Sequence, residues 1–234
     1  MNIKGSVALV TGANRGLGAA FAHALLAEGA STVYGAARSD FQPTEPGLVP
    51  VRLDITDAAQ VTALAVRLTD VDIVINNAGV FHASSALGDE LEAALRTDLE
   101  TNVFGTLAVS RAFAPVLAAN GGGALVNVLS VASWISLPRF AAYGASKAAA
   151  WSLTNSLRLE LRENGTQVLG VHAGYIDTDM AADVDSPKTA PEDVVARVLQ
   201  ALVDDAEEVL VDDVSRVVKG GLSADLATLY PMPV

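Results

Sequence analysis

The sequence predicts a doubly wound α/β domain: a parallel sheet of about seven strands with helices on both faces. Three observations predict it. Short apolar runs alternate with helical segments along the whole chain, the pattern of a parallel sheet covered on both sides. The alternation has no repeat period and no linker, so residues 1–234 read as one domain. A glycine-rich turn joins the first strand to the first helix, where such folds hold an anion.

The elements follow in order. Ser6–Val10 is a strand buried on both faces, and a helix from Ala19 to Glu28 stops at Gly29. Thr32–Ala36 is the second strand. Ser39–Pro50, with three prolines and Gly47, reads as loop before a third strand, Val51–Leu53. Asp57 opens a helix through Val61, Leu64 and Leu68, and Val71–Ile75 is the fourth strand. One long helical region spans about Asp89 to Ala119 and closes at three glycines. Ala124–Leu129, a helix to about Glu163, Gln167–Ala173, a helix near Glu192–Val203 and a strand near Val209–Asp212 complete the pattern, followed by a short tail. Right-handed crossovers between parallel strands make the arrangement doubly wound.

Composition excludes several functions. With 15 Lys+Arg against 27 Asp+Glu the net charge is −12, which argues against a nucleic-acid partner. No cysteine is present, so thiolate chemistry is absent. His23, His82 and His172 lack metal-ligand spacing, and no metal is expected. No signal peptide precedes the first strand, and no uninterrupted apolar run reaches bilayer length. A cytoplasmic protein with no membrane partner is expected.

The chemistry gathers around Tyr143 and Lys147. On a helix these lie one turn apart on one face, and a fixed cation beside a phenol lowers its pKa towards neutrality. A packing pair is the alternative. The turn Gly12-x-x-x-Gly16-x-Gly18 lets the backbone approach a pyrophosphate; its spacing is neither Gly-x-Gly-x-x-Gly nor a P-loop. After the second strand, where an acid would select a free ribose 2′-hydroxyl, stands Arg38, with Arg15 in the turn as a second cation. That favours NADP(H) over NAD(H). Asp54, at a strand end, is placed for the adenine amino group, with helix capping the competing role for Asp54 and especially Asp57.

In order, Thr11-Gly12-x-x-x-Gly16-x-Gly18, Asp54, Asn76-Asn77-Ala78-Gly79, Asn102, Ser130, Tyr143-x-x-x-Lys147 and Gly174 through Thr178 resemble the short-chain dehydrogenase/reductase family over roughly the first 180 residues. The resemblance implies a Rossmann-like fold and hydride transfer between a nicotinamide and a carbonyl/alcohol pair. It implies Asn102, Ser130, Tyr143 and Lys147 as a catalytic tetrad: Ser130 donating to the substrate oxygen, Tyr143 passing the proton, Lys147 lowering the tyrosine pKa and holding the nicotinamide ribose, and Asn102 anchoring a relay water. Ser130 rather than Ser133 has the family's thirteen-residue spacing before Tyr143. Gly12, Asn14, Arg15, Gly16, Leu17, Gly18, Arg38, Asp54, Ile55, Asn76, Ala78, Gly79, Tyr143, Lys147, Gly174, Ile176 and Thr178 would line the cofactor, with Asn76 also tying strand ends. A homodimer or homotetramer is implied.

Ala173 stands where the family usually has proline, removing a backbone restraint and loosening the nicotinamide side. The brief segment Asp179–Pro187 leaves little room for a lid, so the site should be open. Beside Ser130, the expected substrate contacts are Phe81, Trp134, Phe140 and Tyr175, with Val80, Ile135 and Met180 as further walls. They suit an apolar small-molecule carbonyl or alcohol. A dinucleotide-sensing protein on the same fold is the second hypothesis, but a sensor has no need of the full tetrad. An epimerase or dehydratase using the cofactor as a transient oxidant is a third.

Overall fold

The computed structural model describes residues 1–43 and 45–230. Seven parallel strands form one sheet in the order β3-β2-β1-β4-β5-β6-β7: β1 Val7–Thr11, β2 Thr32–Ala37, β3 Leu48–Arg52, β4 Ile73–Asn76, β5 Gly123–Val128, β6 Thr166–His172 and β7 Glu208–Leu210. The strand period of two sorts the side chains cleanly. Ala8, Val10, Ile73, Ile75, Ala124, Val126, Leu169 and Val171 face one layer, packed by Phe21 and Leu25 of α1 (Gly16–Ala27) and Val194, Val198 and Leu202 of α6 (Pro191–Val203). Leu9, Val74, Leu125 and Val168 face the other, against Val61 and Leu64 of α2 (Ala58–Arg67) and Val109, Phe113 and Leu117 of α4 (Thr106–Ala119). The sheet order reverses between β1 and β4, which opens a crevice at their carboxyl ends.

Three expectations need correction. The third strand begins at Leu48 rather than Val51, and it contains Pro50. An edge strand with one neighbour tolerates the missing N–H, and β3 pairs only with β2. The long helical region is interrupted: α3 (Leu91–Leu99) passes through a π-helical segment, Glu100–Gly105, before α4. Read as one helix, Leu91–Ala119 is long and apolar enough to cross a membrane by length and composition, although Asp98, Asn102 and Ser110 on it are buried within the domain. Finally, the tail is not a simple extension. Asp212 caps α7 (Asp213–Gly221) through a reciprocal pair with Ser215, and a short α8 (Leu226–Leu229) follows.

Candidate active site

The carboxyl ends of β1, β4, β5 and β6 open into a single cavity of about 1580 Å³. At one end lies the glycine turn. Gly12 and Gly16 have φ of 69° and 53°, the left-handed region glycine alone enters freely. A Cβ on Gly18 would collide with the Gly12 carbonyl oxygen, so the turn admits no side chain there. The turn is held from β4: Asn77 Nδ2 donates to Thr11 O at 2.9 Å, and Thr11 Oγ1 accepts from the Asn77 and Ala78 N–H groups, both at 3.0 Å. At the start of α1 no side chain caps the helix, and no acid occupies its first turn. Those free N–H groups and the positive dipole end suit a pyrophosphate. The cradle fits the dinucleotide inferred from the sequence.

Asn14, Arg15, Leu17, Arg38, Asp54, Ile55, Ala78, Gly79, Gly174, Ile176 and Thr178 all line this cavity. Arg38 is exposed and has no ion-pair partner among the described residues. Arg15 differs, because its guanidinium pairs with Asp179 at 2.6 Å. Asp57, not Asp54, caps α2, accepting from the Ala59 and Gln60 N–H groups. Asp54 Oδ1 accepts from the N–H and hydroxyl of Thr56. Asn76, expected at the cofactor, is not there. It is buried, and its amide donates to Ser110 Oγ at 3.0 Å and Asn127 Oδ1 at 2.9 Å. Being on the strand, it points to the side opposite its neighbour, so Asn77 is the residue that faces the turn.

At the other end, α5 (Ala141–Leu161) carries Tyr143 and Lys147. Both line the cavity beside Ser130, which follows β5 and whose Oγ accepts from the Ala132 N–H at 3.1 Å. Asn102 sits in the π-helical segment behind them. It is 2% exposed, bonded through Nδ2 to Val80 O and Ser146 Oγ and through Oδ1 to the Val80 N–H, all at 2.9 Å. Asn102 and Lys147 meet at Gly79, where a Cβ would lie 3.1 Å from Asn102 Oδ1 and 3.8 Å from Lys147 Nζ.

The electrostatics overturn one expectation. Burial pushes the Tyr143 phenol up to about 12, with Ser130 partly offsetting and Asp98 adding to the rise. Burial also lowers Lys147 to about 8, against a raising effect from Asp98. The ammonium spends a hydrogen bond on Val128 O at 2.8 Å and stands 5.6 Å from the Tyr143 ring centroid. Desolvation, which disfavours either charged form, is the largest cause of the shift at both groups.

The walls near Tyr143 are aromatic. Phe81 and Phe140 lie 4.8 Å apart, Phe81 meets Tyr143 edge-on at 5.4 Å, and Tyr175 stands 6.3 Å from Phe140. Val80, Ile135 and Met180 also line the cavity. Trp134 does not. Its ring stacks on His172 at 3.7 Å and lies beneath Lys219 of α7, away from the cavity. The helix that draws it there is not foreseen from the sequence. Leu137, Val184 and Val214 complete the apolar wall, equally unforeseen, with Arg139 and Lys188 among its charged members. No motif marks them, since they come from loops and from α7.

The backbone around Ala173 is hydrogen-bonded to neighbouring segments. The Val131 N–H donates to Ala173 O at 2.9 Å and the Gly174 N–H to Asp212 Oδ2 at 2.6 Å. Nearby, the Asp177 N–H donates to Thr189 O and the Thr189 N–H to Tyr175 O.

A family model described as short chain dehydrogenase matches residues 6–189. The chain superposes on a short-chain dehydrogenase from Burkholderia cenocepacia, solved in complex with NADP, with a TM-score of 0.94 and 42% identity over all of both chains. It is 34% identical to a sorbitol dehydrogenase of Cereibacter sphaeroides over 196 residues, 80% of this chain and 76% of that one. It shares its fold with a short-chain dehydrogenase/reductase from Burkholderia phymatum solved with NAD, at a TM-score of 0.81, 24% identity and coverage of 94% and 93%.

Proposed function

The chain belongs to the short-chain dehydrogenase/reductase family, oxidoreductases acting on carbonyl/alcohol pairs, and we propose that this member is an NADP(H)-dependent reductase of apolar ketones or aldehydes. One observation carries the reading: a single cavity joins an uncapped glycine turn and a free Arg38 to an aromatic pocket around Ser130, Tyr143 and Lys147. A dinucleotide held there supplies the hydride. Arg38 is the cation at hand for a 2′-phosphate, because Arg15 is engaged with Asp179. The likeness to the NADP complex from Burkholderia cenocepacia supports the same preference.

The protein's own part is binding, orientation and proton transfer. Phe81, Phe140 and Tyr175 exclude water and hold an apolar carbonyl against Tyr143. The Ser130 hydroxyl donates a hydrogen bond to the substrate oxygen as charge develops there. The Tyr143 Oη–H gives that oxygen its proton. A phenol pushed up to about 12 is protonated at neutral pH, the form that carbonyl reduction requires. Lys147, lowered to about 8, holds a proton that can be replaced near working pH. Exposed Phe104 and Leu159, on the Leu91–Ala119 helix and α5, offer apolar surface for a homodimer or homotetramer.

The test is a panel of ketones, aldehydes and alcohols followed at the nicotinamide absorbance with NADPH, NADP, NADH and NAD. Reduction of apolar carbonyls with NADPH ahead of NADH is the expected result. Tight dinucleotide binding with no turnover anywhere in the panel would favour the sensing role instead.

A further inference from the structure

Asp98 and His82 have no place in the scheme above, yet they stand directly behind it. Asp98, on α3, is fully buried. Its partner is His82, whose Nδ1 lies 2.6 Å from Oδ1 and whose N–H reaches Oδ2 at 3.5 Å. The imidazole is 47% exposed and open to solvent. A buried carboxylate is costly unless paired, so the chain has reason to keep this contact. Four residues on, Asn102 grips Val80 through both its N–H and its carbonyl. The segment Val80-Phe81-His82 is therefore pinned at both ends, and between the pins Phe81 presents its ring to Tyr143.

We propose that Asp98 and His82 are a positioning pair for the proton-transfer step: bonded to each other at 2.6 Å, they hold Phe81 against Tyr143, and the buried Asp98 carboxylate stands behind the Tyr143–Lys147 site. The inference rests on Tyr143 being the acid/base group. Charge and position agree. Asp98 disfavours the phenolate at Tyr143 and favours the ammonium at Lys147. The other titratable groups here are Tyr143 and Lys147 on α5 and His172 on β6, which is pushed down to about 4 by burial and stays neutral. On α3 itself, Glu92, Arg96 and Glu100 are exposed, and Arg96 pairs with Glu92 at 2.7 Å. At the rim, Glu90 accepts from the Ser85 N–H and feels Arg139.

The pair is tested by titrating the phenolate ultraviolet band of the wild type and Asp98→Asn, each against the same protein carrying Tyr143→Phe, with circular dichroism confirming that the fold persists. The difference isolates Tyr143 among the four tyrosines. Asp98→Asn keeps the size and an acceptor for His82 but loses the charge. The Tyr143 transition is expected at lower pH, and the Lys147 limb of the turnover profile moves the same way. His82→Ala, on a half-exposed side chain, removes the contact with Asp98. It is expected to release Phe81 and raise KM for bulky apolar carbonyls several-fold while kcat changes less. A Tyr143 titration unmoved by Asp98→Asn, or a KM for bulky carbonyls unmoved by His82→Ala, overturns the proposal. The phenolate band is read without substrate, so the absence of turnover in the wild type would count against the redox reading alone.

Discussion

The floor of the cavity and its rim are built on opposite plans. The floor is polar and closed. Asn76 joins β4 to Asn127 on β5, Asn127 donates to Thr154 on α5, Asn102 donates to Ser146, and Ser146 returns a bond to Tyr143 O. Each of these side chains is buried, and each comes from a strand or helix. Asn76 Oδ1 is the one acceptor of these side chains that has no partner among the described residues; the remaining bonds form a buried network that rigidifies its surroundings, and the proposed proton-transfer groups rest on it. The rim is apolar and comes from connections: Phe81 after β4, Leu137 and Phe140 before α5, Met180 and Val184 after β6. Met180 is 52% exposed. The difference teaches where change is tolerated. The proposed proton-transfer groups sit on or beside regular elements, while the proposed substrate wall comes from segments that can vary without disturbing the sheet.

That contrast can be broken at the floor first. Tyr143→Phe should lower turnover by about 10²–10⁴-fold while leaving dinucleotide affinity nearly unchanged by calorimetry; lost binding with surviving turnover would reverse the assignment.

Next in size is a stability effect of the buried ammonium. Lys147 is lowered from 10.5 to about 8, so the unfolded chain binds more protons between those values, and stability rises with pH across that window by roughly 3 kcal/mol. Tyr143, raised from 10.0 to about 12, works the other way, with stability falling as pH rises through that interval. Chemical denaturation of Lys147→Met should lack the rise above pH 8, and a parallel pair of curves would show that burial of the ammonium costs nothing.

Gly18→Ala follows, at about 1–3 kcal/mol of lost stability, because its methyl would collide with Gly12 O and Asn77 Nδ2. Thermal melts and dinucleotide titration should fall together.

Smallest is the rim. Phe140→Ala should raise KM several-fold for bulky apolar carbonyls, spare the smallest substrate and leave the fold's melting temperature almost unmoved. An equal loss on all substrates would mean that rim and floor are one unit.

The same division governs what the sequence discloses. Strands buried on both faces, the glycine turn, and the order of Ser130, Tyr143 and Lys147 are written in local patterns. Pro50 hides part of β3, because local rules read proline as loop and only the sheet order makes this an edge. Trp134 is misread because its position depends on Lys219, which lies on α7 at the far end of the chain. Asn76 and Asn77 are adjacent, so one residue of strand phase decides which meets the glycine turn. The phenol's high pKa is beyond a spacing argument altogether, since desolvation is a property of the assembled interior.

A π-helical turn is an α-helix holding one residue too many. At Glu100–Gly105 that surplus residue acts as a gear between two phases of a single rod. Before and within it, Asp98 and Asn102 are aimed at the cavity floor; after it, Val109, Phe113 and Leu117 are aimed at the sheet. Removing the surplus would turn one set by about 100° against the other, and no rotation of the regular rod serves both. The domain is thus committed to an irregular ladder in its longest helix, and a lineage that lost the residue would have to choose between its core and its chemistry.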